Sequence, residues 1–435
     1  MRLAILGGGG FRVPLVHAAL LAERGAGVVT ELVLHDVDAG RLAAVATVLA
    51  EQADGVEGAP AVTTTTDLAT ALSDVDFVFS AVRVGGMRGR QLDERVALAE
   101  GVLGQETVGA GGIAYGLRTV PVAVELARRI AELAPRAWVI NFTNPAGMVT
   151  EAMAPLLGGR VIGICDSPAG LCRRVARAIG VGQEAAWFDY AGLNHLGWLR
   201  GVHAGGVDLL PELLGSPAVE SFEEGRLFGA DWLRLLGAVP NEYLHYYYFT
   251  REAVAAAGDG TDSRGSFLLA QQRGFYTSPS LDRWERTRAE REATYLAEAR
   301  DRERDPGDLE GGGYERIALA LMRAIARDER TTLILNVRNG TALSGVDEDA
   351  VVEVPCAVGA FGASPIAARP LPGHALGLVH AVKAAERSVL EAAATGSADA
   401  ALRAFALHPL VDSVTVARRL LDGYRAAHPQ LSYLH

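Results

Sequence analysis

The residues of this chain best suited to chemistry stand at the ends of apolar runs. In VIGICDSPAGL, residues 161–171, the Cys165 thiol and the Asp166 carboxyl follow a strand-like stretch; in GLNHLGW, residues 192–198, His195 stands between an amide and an apolar residue. A lone histidine is ordinarily a hydrogen-bonded core residue, but thiolate and imidazole together make a borderline-soft donor pair for a divalent transition metal. Two protein donors leave positions open, so a substrate would have to fill them. A second group is the glycine run Gly7–Gly10, where Gly8, Gly9 and Gly10 lead from an apolar stretch into a helix-like one. Small residues there let backbone N–H groups approach a pyrophosphate at a helix N-terminus. Asp36 ends the next apolar run and can accept ribose hydroxyls, which favours NAD over its 2′-phosphorylated relative.

Further polar groups fall at the same kind of place. Arg83, Arg88, Arg90 and Arg95 are mixed with glycines in residues 80–121, where Asp93, Glu94 and Glu106 are available to pair with them. INFTNPAG, residues 140–147, brings Asn141 and Asn144 to a proline stop, and these would line one crevice with Cys165 and Asp166. In VPNEYLHYYYF, Tyr243, Tyr246 and Tyr247 share one helical face, a pattern ordinarily found in cores.

Positioning these groups requires alternating elements. Strands are expected at 2–6, 30–36, 76–82, 137–143 and 160–166, with helices over 13–23, 39–53 and 146–157 between them. Strand, glycine turn, helix, strand, aspartate is the dinucleotide-binding order, and alternation of this kind makes a parallel sheet. The fold class is therefore α/β: a Rossmann-type, doubly wound, mostly parallel sheet in residues 1–170, followed by an α+β catalytic lobe in 171–435. Beyond 170 the pattern predicts a helix at 170–180, strands near 186–206, 330–340 and 350–362, helix formers over 218–330, and C-terminal helices near 374–396 and 410–426. The charge-dense stretch 285–313 reads as a solvated surface helix ending in glycines.

Composition bounds the function. A chain of 435 residues exceeds what one core usually supports and leaves room for a cleft. The formal charge of −11 argues against general affinity for nucleic acid or an anionic membrane while permitting a local basic pocket. Three cysteines and an opening too short for a secretion signal read as a reduced cytoplasmic protein. No apolar run is long enough to suggest a membrane span.

RVGGMRGRQLDE, GQETVGAGGIAYGLRTVP, INFTNPAGMVTEA, GICDSP, GLNHLGW, PNEYLHYYY and LNVRNG occur in this order and resemble, from residue 2 to about 370, the NAD- and manganese-dependent glycosidases of family 4. The likeness is greatest to their 6-phospho-β-glucosidase branch; a 6-phospho-α-glucosidase or another family 4 glycosidase is the alternative within the family, and an NAD-dependent hydroxy-acid dehydrogenase the alternative outside it. The glycine turn departs from the family's GGGSTYTP, because Gly10, Phe11, Arg12 and Val13 precede Pro14.

What the resemblance implies is hydrolysis of a phosphorylated sugar by redox elimination: oxidation at C3, deprotonation at C2, loss of the aglycone from C1, addition of water and reduction at C3. Its cofactors would be NAD and Mn²⁺ or another divalent metal. By resemblance Cys165 and His195 are the metal ligands, Tyr243 is the base at C2, and Glu106 raises the basicity of that tyrosine. Asn144 contacts the sugar, and Arg90 and Arg264 hold the phosphate. Asp166 matches the leaving-group acid of the α-specific branch, whereas many β-specific relatives carry asparagine there. A homodimer or homotetramer is implied in the same way.

Overall fold

The computed structural model describes residues 1–23, 29–258, 263–295 and 313–435. Six strands, β1 (Arg2–Leu6), β2 (Glu31–His35), β3 (Ala61–Thr65), β4 (Phe77–Ser80), β5 (Trp138–Asn141) and β6 (Val161–Gly163), form a parallel sheet in the order β3-β2-β1-β4-β5-β6. The inner strands are buried almost throughout, since helices cover both faces, and they therefore read as unbroken apolar runs. β3 is half exposed and threonine-rich at the edge, which is why no apolar signal announces it.

The sheet does not stop at β6. Antiparallel strands continue it: β7 (Trp187–Leu193), β8 (Leu196–Ala204), β9 (Val207–Asp208), β10 (Val239–Pro240), β11 (Thr331–Arg338), β12 (Val351–Gly359) and β13 (Gly362–Pro365). β11 joins β6, and the order outward is β11-β12-β7-β8-β10, with β13 on β12 and β9 on β8. One apolar core runs under both portions, from Ile5, Phe79 and Ile140 to Trp198, Leu335 and Val354. A second core packs the long helix Gly109–Leu133 against the C-terminal helices through Ala114, Leu117, Leu420 and Tyr424. Among the described residues no helix is long and apolar enough to cross a membrane.

Several expectations need correction. Three C-terminal helices, Gly373–Thr395, Ala398–Leu407 and Val414–Ala427, stand where two were expected; Ser397 caps the additional one, accepting from the Ala400 N–H at 3.1 Å. Of the charge-dense stretch, the helix Leu281–Ala293 is not simply a solvated face: it buries Trp284 and Thr287, and Arg291 lines the central cavity. Residues 296–312 of that stretch lie outside the described residues. Tyr243, Tyr246 and Tyr247 do share one apolar cluster, but a short helical turn and the helix His245–Tyr248 carry them, in place of one continuous helix.

In a doubly wound sheet ligands bind beyond the carboxyl ends of the strands, where the strand order reverses. Here that point lies between β1 and β4. A cavity of about 1310 Å³ opens there, lined by the ends of β1, β2, β4, β5 and β6 and by helices from the second half of the chain.

Candidate active site

The turn after β1 is held by close packing. Gly7, at φ +84°, and Gly8 both donate to the His35 carbonyl, at 2.9 and 2.7 Å. A Cβ on Gly7 would fall 2.5 Å from the Ala81 carbonyl oxygen, and one on Gly8 would fall 2.8 Å from the Leu34 Cβ. The Asp36 carboxylate accepts from the Gly9 N–H and the Asp38 N–H, each at 3.1 Å. Gly7, Gly10 and Asp36 line the cavity, whereas Gly8 and Gly9 pack behind it against Leu34 and Arg41, so two of the three expected glycines shape the turn from the rear.

The departure at Phe11 and Arg12 acquires a structural account. Three turn carbonyls accept from side chains of the second half of the chain: Gly9 from the Tyr276 hydroxyl at 2.7 Å, Phe11 from the Trp284 indole at 2.8 Å and Arg12 from the Tyr314 hydroxyl at 2.8 Å. Phe11 meets Phe275 edge to face, with centroids 5.3 Å apart. The Arg12 guanidinium lies 5.4 Å from the Tyr314 ring centroid and 5.9 Å from that of Phe142, facing the cavity with Asp166 as its principal opposite charge.

Cys165 and Asp166 follow β6, and Asp166 is the residue immediately before the helix Ser167–Ile179. His195 occupies the two-residue turn between β7 and β8 at φ +61°, a conformation uncommon outside glycine that often marks function. Burial pushes its imidazole down to about 3, so the ring is neutral. The Thr107 hydroxyl donates to Gln105 Oε1 at 3.1 Å and lies 2.9 Å from His195 Nδ1, so it accepts the Nδ1 proton and leaves an Nε2 lone pair. Burial, then the charges of Glu353 and Asp166, push the Cys165 thiol well up.

A buried thiol among carboxylates beside a neutral imidazole is a donor set that suits a divalent cation, which would favour the thiolate. Among the described residues no group of three or more His, Cys, Asp or Glu could hold a metal. The fit is to a cation whose remaining positions face the cavity.

Tyr243 stacks on His195 with centroids 3.6 Å apart and planes 9° apart. Its hydroxyl accepts from Tyr295 at 3.2 Å. Burial, with Glu242 and Cys165 nearby, pushes the phenol well above its ordinary value. Glu106 is not its hydrogen-bond partner here; that carboxylate is taken by ion pairs with Arg83 and Arg90. Burial would raise Glu106, but the two arginines outweigh it and hold it at about 2. Arg90 stands between them: it pairs with Glu106 and with Glu94, the latter at 2.8 Å, and Tyr243 is among the groups whose charge bears on it.

Arg264 begins the helix Arg264–Thr277, donates to the Arg291 carbonyl at 2.7 Å and lines the cavity with Arg90. Arg291 was not anticipated. Burial and the charges of Arg12, Arg90 and Arg264 push its guanidinium down to about 9, the mark of a cationic cluster that an anion would relieve. Asn144 also lines the cavity, and its Oδ1 is buried without a partner, as suits a sugar hydroxyl. Thr107, Arg291, Tyr295 and Tyr314 were missed because none lies in a motif with a chemistry of its own; Thr107 stands inside GQET, and Arg12 was marked only as part of the departing glycine turn.

A dinucleotide-type turn, a soft donor pair, a stacked tyrosine and a cationic cluster around one cavity define an α/β enzyme of dehydrogenase-like architecture. Its fold resembles that of malate dehydrogenase from Plasmodium falciparum, with a TM-score of 0.52 at 14% identity over 90% of this chain and 98% of that one. A model for family 4 glycosyl hydrolases matches residues 2–181, and one for the family's C-terminal domain matches residues 190–411. The chain is 34% identical to a probable 6-phospho-beta-glucosidase of Bacillus subtilis, over 98% of its own length and 96% of that protein's. It is 31% identical to a 6-phospho-alpha-glucosidase of Leptotrichia buccalis, over 97% and 96%. The 6-phospho-beta glucosidase from Thermotoga maritima, solved with manganese, NAD+ and glucose-6-phosphate, superposes with a TM-score of 0.85 over 100% of both chains at 26% identity. The chain belongs to glycosyl hydrolase family 4 and is a glycosidase; its likeness to hydroxy-acid dehydrogenases is one of fold.

Proposed function

We propose that this glycosidase hydrolyses 6-phospho-glucosides, and among them 6-phospho-β-glucosides, by redox elimination with NAD and Mn²⁺ or another divalent cation. The observation that carries the reading is the stacking of Tyr243 on His195, beside Cys165 and across from the arginine cluster. The Gly7–Gly10 turn and Asp36 would hold the dinucleotide, and Cys165 and His195 the cation. When bound, these groups supply hydride transfer at C3 and polarisation of the C3 oxygen.

The chain's own residues do the rest. Arg90, Arg264 and Arg291 bind the phosphate, where planar guanidinium donors match its oxygens, and Asn144 Oδ1 accepts a sugar hydroxyl. Tyr243 Oη takes the C2 proton. For this Tyr243 must stand as the phenolate, its own proton already lost, and it becomes the phenol on taking the C2 proton; the Tyr295 hydroxyl donates to that phenolate, and the Arg90 charge opposes the burial that disfavours it. Glu106 keeps Arg83 and Arg90 in place. Asp166, opposite Arg12 on the cavity wall, is assigned to the leaving group. Residues 1–170 are read as the nucleotide half and 171–435 as the catalytic half; the two family models also divide the chain in two, between residues 181 and 190. The protein is read as a cytoplasmic homodimer or homotetramer.

The test is release of nitrophenol from the α- and β-nitrophenyl 6-phospho-glucosides. Activity on the β-anomer that requires both NAD and a divalent metal is expected. Turnover indifferent to removal of both refutes the mechanism, and exclusive turnover of the α-anomer refutes the β assignment.

A further inference from the structure

We propose that Glu353 is a positioning residue for the cation site: a buried carboxylate that fastens the His195 turn and ties it, through Asn336, to the strand that delivers Cys165. The inference rests on reading Cys165 and His195 as cation ligands. Its starting point is a row across the sheet. Gly163 on β6 is paired with Asn336 on β11, Asn336 with Glu353 on β12, and Glu353 with Gly192 on β7. The row runs from the strand that delivers Cys165 to the hairpin that delivers His195. Glycine at its near end is required, since a Cβ on Gly163 would fall 2.4 Å from the Thr150 hydroxyl and 2.8 Å from the Asn336 Cβ.

Glu353 is 1% exposed, in a strand that is otherwise apolar. Its Oε1 accepts from Asn336 Nδ2 at 2.8 Å and from Asn194 Nδ2 at 3.3 Å, and its Oε2 accepts from the Tyr190 hydroxyl at 2.9 Å. Asn194 precedes His195 in the turn, so this hydrogen bond helps to hold a backbone in which His195 has positive φ. The three partners are neutral donors, and no Lys or Arg forms an ion pair with Glu353 among the described residues.

Burial favours the neutral form of this carboxyl, and a cation held by Cys165 and His195 would favour the charged form and complete the charge balance. This is the part that outer-shell carboxylates play at metal sites, where they orient the ligands and strengthen binding. Nothing local in AVVEVPCAVG marks it, because its partners lie on β11, on β7 and in the His195 turn.

Glu353→Gln keeps the size of the side chain and an oxygen for Asn336 and Asn194 while removing the charge. Mn²⁺ binding to the NAD-loaded protein, followed by the electron paramagnetic resonance of free Mn²⁺, is expected to weaken at least about ten-fold. Thermal unfolding without metal is expected at or above the wild-type temperature, with a smaller rise on adding Mn²⁺. A merely structural role reverses this pattern, lowering the metal-free unfolding temperature while leaving Mn²⁺ affinity at the wild-type value, and that result overturns the inference. If the glutamine variant does not fold, Tyr190→Phe removes one donor and keeps the charge; wild-type Mn²⁺ affinity is then expected, and a roughly ten-fold loss overturns the inference. Cys165→Ala separates the two levels: if it binds Mn²⁺ as the wild type does, the cation reading itself fails, whatever Glu353 does.

Discussion

Glu106→Gln is the substitution that most directly probes the arginine-lined wall of the site. Glu106 is 8% exposed, and its carboxylate pairs with both Arg83 and Arg90. Lowering its carboxyl from 4.5 to about 2 corresponds to roughly 3 kcal/mol of folding free energy. Its value in the folded protein lies below that in the unfolded chain, so this stabilisation is fully present above about 4.5 and is lost as the pH falls through about 2. The glutamine fills the same space, leaving Arg83, whose side chain is 32% exposed, without this anion and Arg90 with Glu94 alone, so the change lies at or below the lower end of the about 3–5 kcal/mol for breaking a buried pair. Urea unfolding at about pH 7 should show the variant less stable by roughly 3 kcal/mol, with the gap steady to about pH 5 and narrowing below 4.5. Because Arg90 loses one of its two carboxylate partners, KM for the phosphorylated substrate should rise in the same variant. A gap below about 1 kcal/mol at pH 7, the size of an exposed ion pair, or one that does not change between about pH 7 and 4, refutes the picture of a single anion holding both arginines.

Two further outcomes follow from the same charges. Arg291→Ala should raise KM for a 6-phospho-glucoside by roughly ten- to a hundred-fold, as for losing hydrogen bonds to a charged group, with kcat changed less; steady-state kinetics that find KM unmoved would remove Arg291 from the phosphate site. Burial holds His408 at about 3, so the folded protein keeps it neutral while the unfolded chain takes up a proton below about 6.5. Stability should therefore fall with pH through that window, by about 2 kcal/mol at pH 5. His408→Asn should lack this loss in urea unfolding at the two ends of the window, and identical pH slopes for both proteins would contradict the assignment.

What was legible in the sequence was local. β1, the glycine turn and Asp36 are contiguous signals, and Cys165 and His195 stand at a strand end and a hairpin tip, where side chains open onto a crevice. What was illegible depends on distant partners. The antiparallel strands could be sensed one by one, but their continuation of the parallel sheet through β6 and β11 rests on a pairing between residues 163 and 336. Arg291 lies in a stretch whose charge density hides the residue that turns inward. For Glu106 the sequence offers both arginine partners and, by resemblance, a tyrosine, and the choice of Arg83 and Arg90 is made by the packing of the helix Gly86–Ala99. Gly8 and Gly9 illustrate the limit of a motif: the run marks the turn, yet only packing decides which glycines face the cavity.

The three hydrogen bonds that Tyr276, Trp284 and Tyr314 donate to the carbonyls of Gly9, Phe11 and Arg12 make the first turn of the nucleotide half dependent on helices of the other half. Two of those helices, Arg264–Thr277 and Leu281–Ala293, also carry Arg264 and Arg291. Whatever settles these helices settles the turn, and the reverse holds equally. On the proposed function the dinucleotide and the phosphorylated sugar would then be linked ligands: to the extent that one settles these helices, each would change the affinity of the other by the same factor, although neither needs to touch the other's phosphate.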